Sequence, residues 1–350
     1  MTAKEPSALT GQFETLKSRF NDLLERVNFT EISRQISSIA GKVAALPGDI
    51  ERIRSRGYVF ASYLENKAQT LARHWEDSAR DARQTIARVS AELRGAVQQA
   101  EQSLRKAEGV AQSPLALAGL LPTLEREIAD AEARLKAAEE RVKAVFQTLA
   151  NDVDQTARQL QDIRWYLDQK DEASFPFLAG EALFLAAKAE WVASGKGKED
   201  PDGILYLTDQ RLIFEQKETT GKTLGLFGGK KVQELEWDIP LNTIEQVKAE
   251  NKGLFGGKDM LYFTLRPGAR FAQITVEVKG GANCKFWAAQ IQRMVRGETT
   301  DERAVPPDPE MLEALRSAPT ACHVCGATLP QIVAGQREIT CAYCGTVIRL

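Results

Sequence analysis

Four of the five cysteines fall into two pairs, Cys322-His323-Val324-Cys325-Gly326 and Cys341-Ala342-Tyr343-Cys344-Gly345, with fifteen residues between them. Cys-x2-Cys-x15-Cys-x2-Cys is the spacing of a zinc site. Two thiolates two residues apart reach one ion from a tight turn, and the glycine after each pair supplies the positive φ that the turn needs. Four thiolates complete a closed tetrahedron, so Cys322, Cys325, Cys341 and Cys344 are expected to hold one structural Zn2+ with no open position for catalysis. His323 reads as an exposed neighbour and not a ligand. Cys284 opens a later helix and reads as a core residue.

No other grouping offers chemistry. The chain has two histidines, His74 and His323, and neither lies near a serine or cysteine cluster that would make a nucleophile–base pair. Carboxylates are abundant but follow helical spacing, as a solvated face does. The expectation is therefore a protein that is not an enzyme, with no catalytic residue and no small-molecule substrate. With 46 Lys+Arg against 48 Asp+Glu the net charge is −2, which gives no overall basic field for nucleic acid. No apolar run of about 18 residues exists, and the first ten residues lack the pattern of a secretory signal. Paired thiols at metal spacing fit a reducing compartment, so a cytoplasmic location is expected, with peripheral membrane association open.

The elements that position the cysteines are slight. Glu338–Thr340 and Thr346–Ile348 are β-like flanks, and residues 321–350 hold too little core to fold without metal. This module resembles a zinc ribbon, as in transcription factor IIB and rubredoxin-like proteins. The nucleic-acid role of that group is not expected here, because the module carries few basic residues, Arg337 and Arg349, and Tyr343 as its aromatic. Residues 298–320 before it form a proline-rich linker with a short helix near Glu310–Ser317.

Upstream, residues 175–297 alternate in the rhythm of strands, at about 182–193, 203–208, 211–217, 232–240, 244–250, 260–266 and 270–279. An amphipathic helix, Asn283–Arg296, follows, with Phe286, Trp287, Ile291, Met294 and Val295 expected on its buried side. Gly203-Ile-Leu-Tyr-Leu-Thr-Asp-Gln-Arg-Leu-Ile-Phe214 reads as a hairpin with a polar corner at Thr208–Arg211. Seven antiparallel strands closed by one helix resemble the pleckstrin-homology superfold, and the hairpin is similar to the GRAM and bacterial PH-like families. The resemblance implies a closed barrel with Leu205, Leu207, Leu212 and Phe214 in its core, and binding of anionic lipids, peptides or proteins.

One hexapeptide occurs twice, Gly225-Leu226-Phe227-Gly228-Gly229-Lys230 and Gly253-Leu254-Phe255-Gly256-Gly257-Lys258. In a meander both leave odd-numbered strands and emerge at one end. Leu226, Phe227, Lys230, Lys231, Leu254, Phe255 and Lys258 are candidate contacts to an anionic membrane surface or a protein partner. Each lysine near such a surface contributes about 1 kcal/mol and each buried apolar side chain roughly 1.5–3 kcal/mol. Folding of both phenylalanines onto the barrel itself is the third possibility. Neither loop has the Gly-x4-Gly-Lys-Ser/Thr order of a phosphate-binding loop.

Residues 1–48 read as an amphipathic helical leader ending at Pro47-Gly48, and residues 49–172 as a coiled-coil hairpin. One seam runs through Ile86, Val89, Leu93, Val97, Ala100, Leu104 and Ala107. A second runs from Leu121 to Leu149 in a 3-4 rhythm, slips at Val153 and resumes to Leu167. Ser113–Pro122, with two prolines and a glycine, is expected to be the break, and its leucines are expected to cap the hairpin, meet another chain or touch a membrane. Folded back, Leu93 would face about Val142, and a homo-oligomer through the coiled coil is expected. In outline this arm resembles the phage-shock protein A and ESCRT-III group.

The fold class is α+β multidomain. The leading reading is an adaptor or scaffold; the alternatives are a transcription-associated zinc-ribbon factor and a membrane-remodelling scaffold.

Overall fold

The computed structural model describes residues 6–193, 200–220, 230–252 and 257–349. Leu226, Phe227, Leu254 and Phe255 lie outside them. The chain divides into two compact units, Met1–Gly48 with Glu65–Arg158, and Asp49–Leu64 with Gln159–Leu350.

Four helices, α1 (Pro6–Arg26), α2 (Thr30–Ser55), α3 (Leu64–Gly109) and α4 (Pro114–Asp171), precede the strands; the first unit takes α1, α2 as far as Gly48, α3 from Glu65 and α4 as far as Arg158, and the ends of α2 and α4 belong to the second. Phe13, Leu16, Phe20 and Leu23 of α1 are buried, as are Ile32, Ile36, Ile39 and Val43 of α2. Three polar ties run from α1 to α4: Gln12 to Glu125 at 3.3 Å, Arg19 to Glu132 at 3.0 Å and Arg26 to Glu139 at 2.9 Å. All three span 113 residues, and they step by two helical turns at a time, so α1 and α4 run parallel in fixed register. Glu92 meets Arg141 at 3.2 Å and Gln99 meets Glu127 at 3.0 Å, which makes α3 and α4 antiparallel. Farther along, Trp75 meets Phe146 edge-on at 6.2 Å, so the expected register is not kept along the whole pair.

Neither Pro47 nor Pro122 interrupts its helix as expected. α2 continues through Pro47-Gly48 to Ser55. An interior proline costs about 3 kcal/mol. Leu46, Ile50 and Ile53 continue one buried stripe across it, at roughly 1.5–3 kcal/mol each, and burial wins. α4 begins at Pro114 and holds Pro122 inside it, so the break is confined to residues 110–113. Leu117 and Leu121 are buried and only Leu115, 89% exposed, faces water fully. The slip in the second seam also comes earlier. Ala138, Val142, Phe146 and Ala150 are buried at successive steps of four, whereas Val145 and Leu149 are half-buried.

In the second unit, β1 (Leu183–Trp191), β2 (Asp202–Thr208), β3 (Arg211–Thr220), β4 (Lys230–Pro240), β5 (Ile244–Lys252), β6 (Lys258–Leu265) and β7 (Gln273–Val278) form one antiparallel sheet. Its order is β4-β3-β2-β1-β7-β6-β5. This is a PH-like meander, but not a closed barrel. β4 and β5 are the two edges, joined through Pro240, which has no N–H to give, and a 3-10 turn at Leu241–Thr243 that draws the chain aside through Leu241 N–H donating to Gln210 O at 3.0 Å. α5 (Cys284–Val295) is N-capped by Asn283, which accepts from Phe286 N–H at 3.0 Å. It buries Cys284, Trp287, Ala288, Ile291 and Met294, an i, i+3, i+4, i+7 stripe. Phe286 and Val295 fall off that stripe and are exposed, contrary to expectation.

Trp165 and Tyr166 from the last turns of α4 pack on Phe175, Phe177, Ala186, Ile204 and Tyr206, on one face of the sheet. Buried Glu215 fastens the same place, accepting from Tyr206 Oη at 2.8 Å and Ser174 N–H at 2.6 Å. After α5 come α6 (Pro309–Ser317) and a hairpin of β8 (Glu338–Thr340) and β9 (Val347–Arg349).

Candidate metal centre and docking face

The two cysteine turns are built alike. In the first, Gly326 N–H donates to Cys322 O and Cys322 N–H to Ala327 O, both at 2.8 Å. In the second, Gly345 N–H donates to Cys341 O and Cys341 N–H to Thr346 O, both at 2.9 Å. Gly326 and Gly345 have φ of 75° and 72°, the left-handed conformation their spacing predicts. Cys322 and Cys341 are buried with Leu329, Ile339 and Ile348, while Cys325 and Cys344 lie at the surface.

All four Sγ atoms lie within 4.8 Å of one another, with Cys322 to Cys344 and Cys325 to Cys341 at 3.6 Å. A tetrahedral zinc with bonds of about 2.3 Å places its sulfurs roughly 3.8 Å apart, so the donor set fits. The surrounding groups pull the thiols in different directions. The Thr346 hydroxyl and amide pull the Cys344 thiol down to about 6, and the amides of Cys325 and Val324 lower that of Cys322. At Cys325 the amide of Ala327 works the same way but is outweighed by the Cys344 thiol and by burial, which push it up to about 12. Thiolates crowded this closely repel unless a cation sits among them. Exposed His323 stays outside the group.

The sequence carried no sign of how the metal module is attached. Ile332–Ala334, between the two knuckles, lies antiparallel to Phe177–Ala179, the lead into β1, with Leu178 opposite Val333. Ala179 N–H donates to Ile332 O and Ala334 N–H to Phe177 O, both at 2.9 Å. Glu181 accepts from Leu178 N–H at 2.7 Å and from Thr208 Oγ1 at 2.7 Å, and is gripped by Arg211 at 2.7 and 3.0 Å. The polar corner of the Gly203–Phe214 hairpin thus anchors the segment on which the cysteine module rests.

The β3–β4 and β5–β6 connections leave odd-numbered strands but, contrary to expectation, not at one end. Every neighbouring pair in the sheet is antiparallel, β1 with β7 included, so β3 and β5 run in opposite directions and their connections leave at opposite ends as well as opposite edges. Lys230 enters through its backbone pairing with Thr220, and Lys231 is exposed. Lys258 pairs with Glu277 at 2.7 Å, Lys252 lies 3.7 Å from Glu250, and Lys279 bridges Glu190 and Asp202 at 2.5 and 2.6 Å. The charges of Lys252, Lys258 and Lys279 are therefore already answered by carboxylates. Among the described residues, no helix is long and apolar enough to cross a membrane.

No family model matches this chain, and no curated protein matches it. Among solved structures it is similar to the Vps36 N-terminal PH domain, with TM-score 0.24 and 13% identity over 34% of this chain and 82% of that one. It is also similar to a pleckstrin homology domain from Shewanella amazonensis SB2B, with TM-score 0.24 and 20% identity over 38% of this chain and 97% of that one. A third is the DH/PH portion of PDZ-RhoGEF in complex with activated RhoA, with TM-score 0.29 and 12% identity over 80% and 95%. The PH-like arrangement of this chain stands on its strand order and capping helix.

Proposed function

We propose that this chain is a non-enzymatic, zinc-binding adaptor whose PH-like sheet docks to a protein partner. The observation that carries it is the four-sulfur site, closed to substrates and fastened by strand pairing to the lead of the sheet. Ion pairing of Lys252, Lys258 and Lys279 within the sheet favours a protein over an anionic membrane. Within the PH-like group, the Gly203–Phe214 hairpin supports a GRAM-type module. The repeated Gly-Leu-Phe-Gly-Gly-Lys sequence supports the second reading, a membrane wedge formed by Phe227 and Phe255.

Elemental analysis and co-sedimentation with phosphatidylserine vesicles test both. One zinc per chain and no vesicle binding are expected, together with capture of a partner by full-length protein in the absence of membranes. Vesicle binding that disappears in Phe227→Ser/Phe255→Ser replaces the protein reading with the membrane one. Turnover of any substrate that stops on mutation of a described residue overturns the non-enzymatic reading.

A further inference from the structure

The segment Phe177–Gly180 is held from two directions. On the sheet side, Arg211 and Glu181 fix it through the Leu178 amide and through Pro176 O, which accepts from Arg211 Nη2 at 3.3 Å. On the other side, Ile332–Ala334 adds to it as a short strand. The turn that offers this strand is closed by Gln336, whose N–H donates to Val333 O at 3.1 Å and whose Oε1 accepts from Val333 N–H at 3.0 Å, with Gly335 at φ 78°. Ile332 is also a contact between this turn and the cysteine core.

That core consists of Cys322, Leu329, Ile339, Cys341 and Ile348. Two of these five are ligands. So small a cluster does not persist without its ion, and metal binding supplies its folding free energy. The strand offered to Phe177–Gly180 is then only as durable as the metal site.

We propose that the metal site acts as a clasp: zinc organises the loop that carries Ile332–Ala334, this loop pairs with the backbone edge of Phe177–Ala179, and loss of the metal frees that edge. The clasp rests on the reading of the four cysteines as a zinc site. Phe177 packs in the cluster of Phe175 and Tyr206, so what loss of the loop bares is the backbone edge, the Ala179 N–H and the Phe177 carbonyl. Binding linkage is reciprocal, so breaking the strand pairing loosens the metal by the same factor that losing the metal loosens the pairing.

Hydrogen exchange on the full-length chain tests this, with zinc bound and after treatment with a chelator. The Ala179 amide is expected to exchange at least tenfold faster once zinc is removed, while amides of β2 and β3 stay protected. Ala334→Pro deletes the donor to Phe177 O without touching a ligand. It is expected to show the fast Ala179 exchange with zinc still present, and to yield zinc at roughly tenfold lower chelator concentration. Unchanged Ala179 exchange after zinc removal overturns the clasp, as does Ala334→Pro holding zinc as tightly as the parent. Loss of protection throughout β2 and β3 also overturns it, because the metal would then support the whole sheet. Purified protein without zinc defeats the metal reading itself, an outcome distinct from zinc-loaded protein whose Ala179 amide ignores the metal.

Discussion

Arg211 holds a charge where almost no water reaches: its side chain is 7% exposed and that of Glu181 0%. Burial works against the guanidinium charge, and the hydrogen bonds it donates to Glu181 and Asp238 more than offset this, so its pKa lies above the ordinary arginine value. Removing one partner of a buried pair leaves the other uncompensated, at a cost of about 3–5 kcal/mol. Arg211→Ala is therefore expected to lower the stability of the sheet unit by that amount in urea denaturation, and Arg211→Lys, which keeps the charge but not the fork, by less. A change within about 0.5 kcal/mol for Arg211→Ala, the range of an ordinary surface substitution, would contradict this account. The sequence showed the corner Thr208–Arg211 but not its partner, because Glu181 lies 30 residues away and belongs to no local pattern. The cysteines were legible for the opposite reason. Each pair is placed by its own tight turn, so spacing alone fixes which atoms meet.

The β2–β3 hairpin shows the same limit one level up. Alternation and the polar corner located both strands, yet the need for Gly203 emerges only from register. Gly203 lies opposite Gln216, beside a register shift between Phe214 and Glu215, and a Cβ on it would come 1.9 Å from Glu215 O. That neighbour is backbone and cannot swing away. Gly203→Ala is thus expected to cost on the order of 3 kcal/mol, against the slight stabilisation usual for Gly→Ala at an unstrained position. Thermal unfolding checks it, and an unchanged midpoint would mean that β3 shifts freely. Strands and helices were otherwise readable from periodicity. The errors came where tertiary burial outweighs a local rule, at Pro47 and Pro122 inside helices, and where a sheet edge depends on long-range geometry, at β4 and β5, which do not pair with each other.

At the scale of the whole chain, the helical seams bear on self-association. A coiled coil between chains needs an apolar stripe left uncovered by its own chain. Here Leu93 of α3 and Leu135 and Val142 of α4 are buried within one chain, as are Phe13, Leu16 and Phe20 of α1, which runs beside α4 through the Gln12, Arg19 and Arg26 ties. The seam that led the sequence to predict a homo-oligomer is already covered. Full-length protein is accordingly expected to sediment with the mass of one chain at micromolar concentration. Deleting residues 1–28 removes α1 and should uncover part of the stripe on α4, at roughly 1.5–3 kcal/mol for each large side chain returned to water. The truncated chain then gains by burying that stripe against a second copy, and its mass should rise with concentration. A full-length chain that sediments as a dimer, or a truncation that stays monomeric and folded, would show that α1 does not cover the seam and that a second chain is needed, or that nothing is.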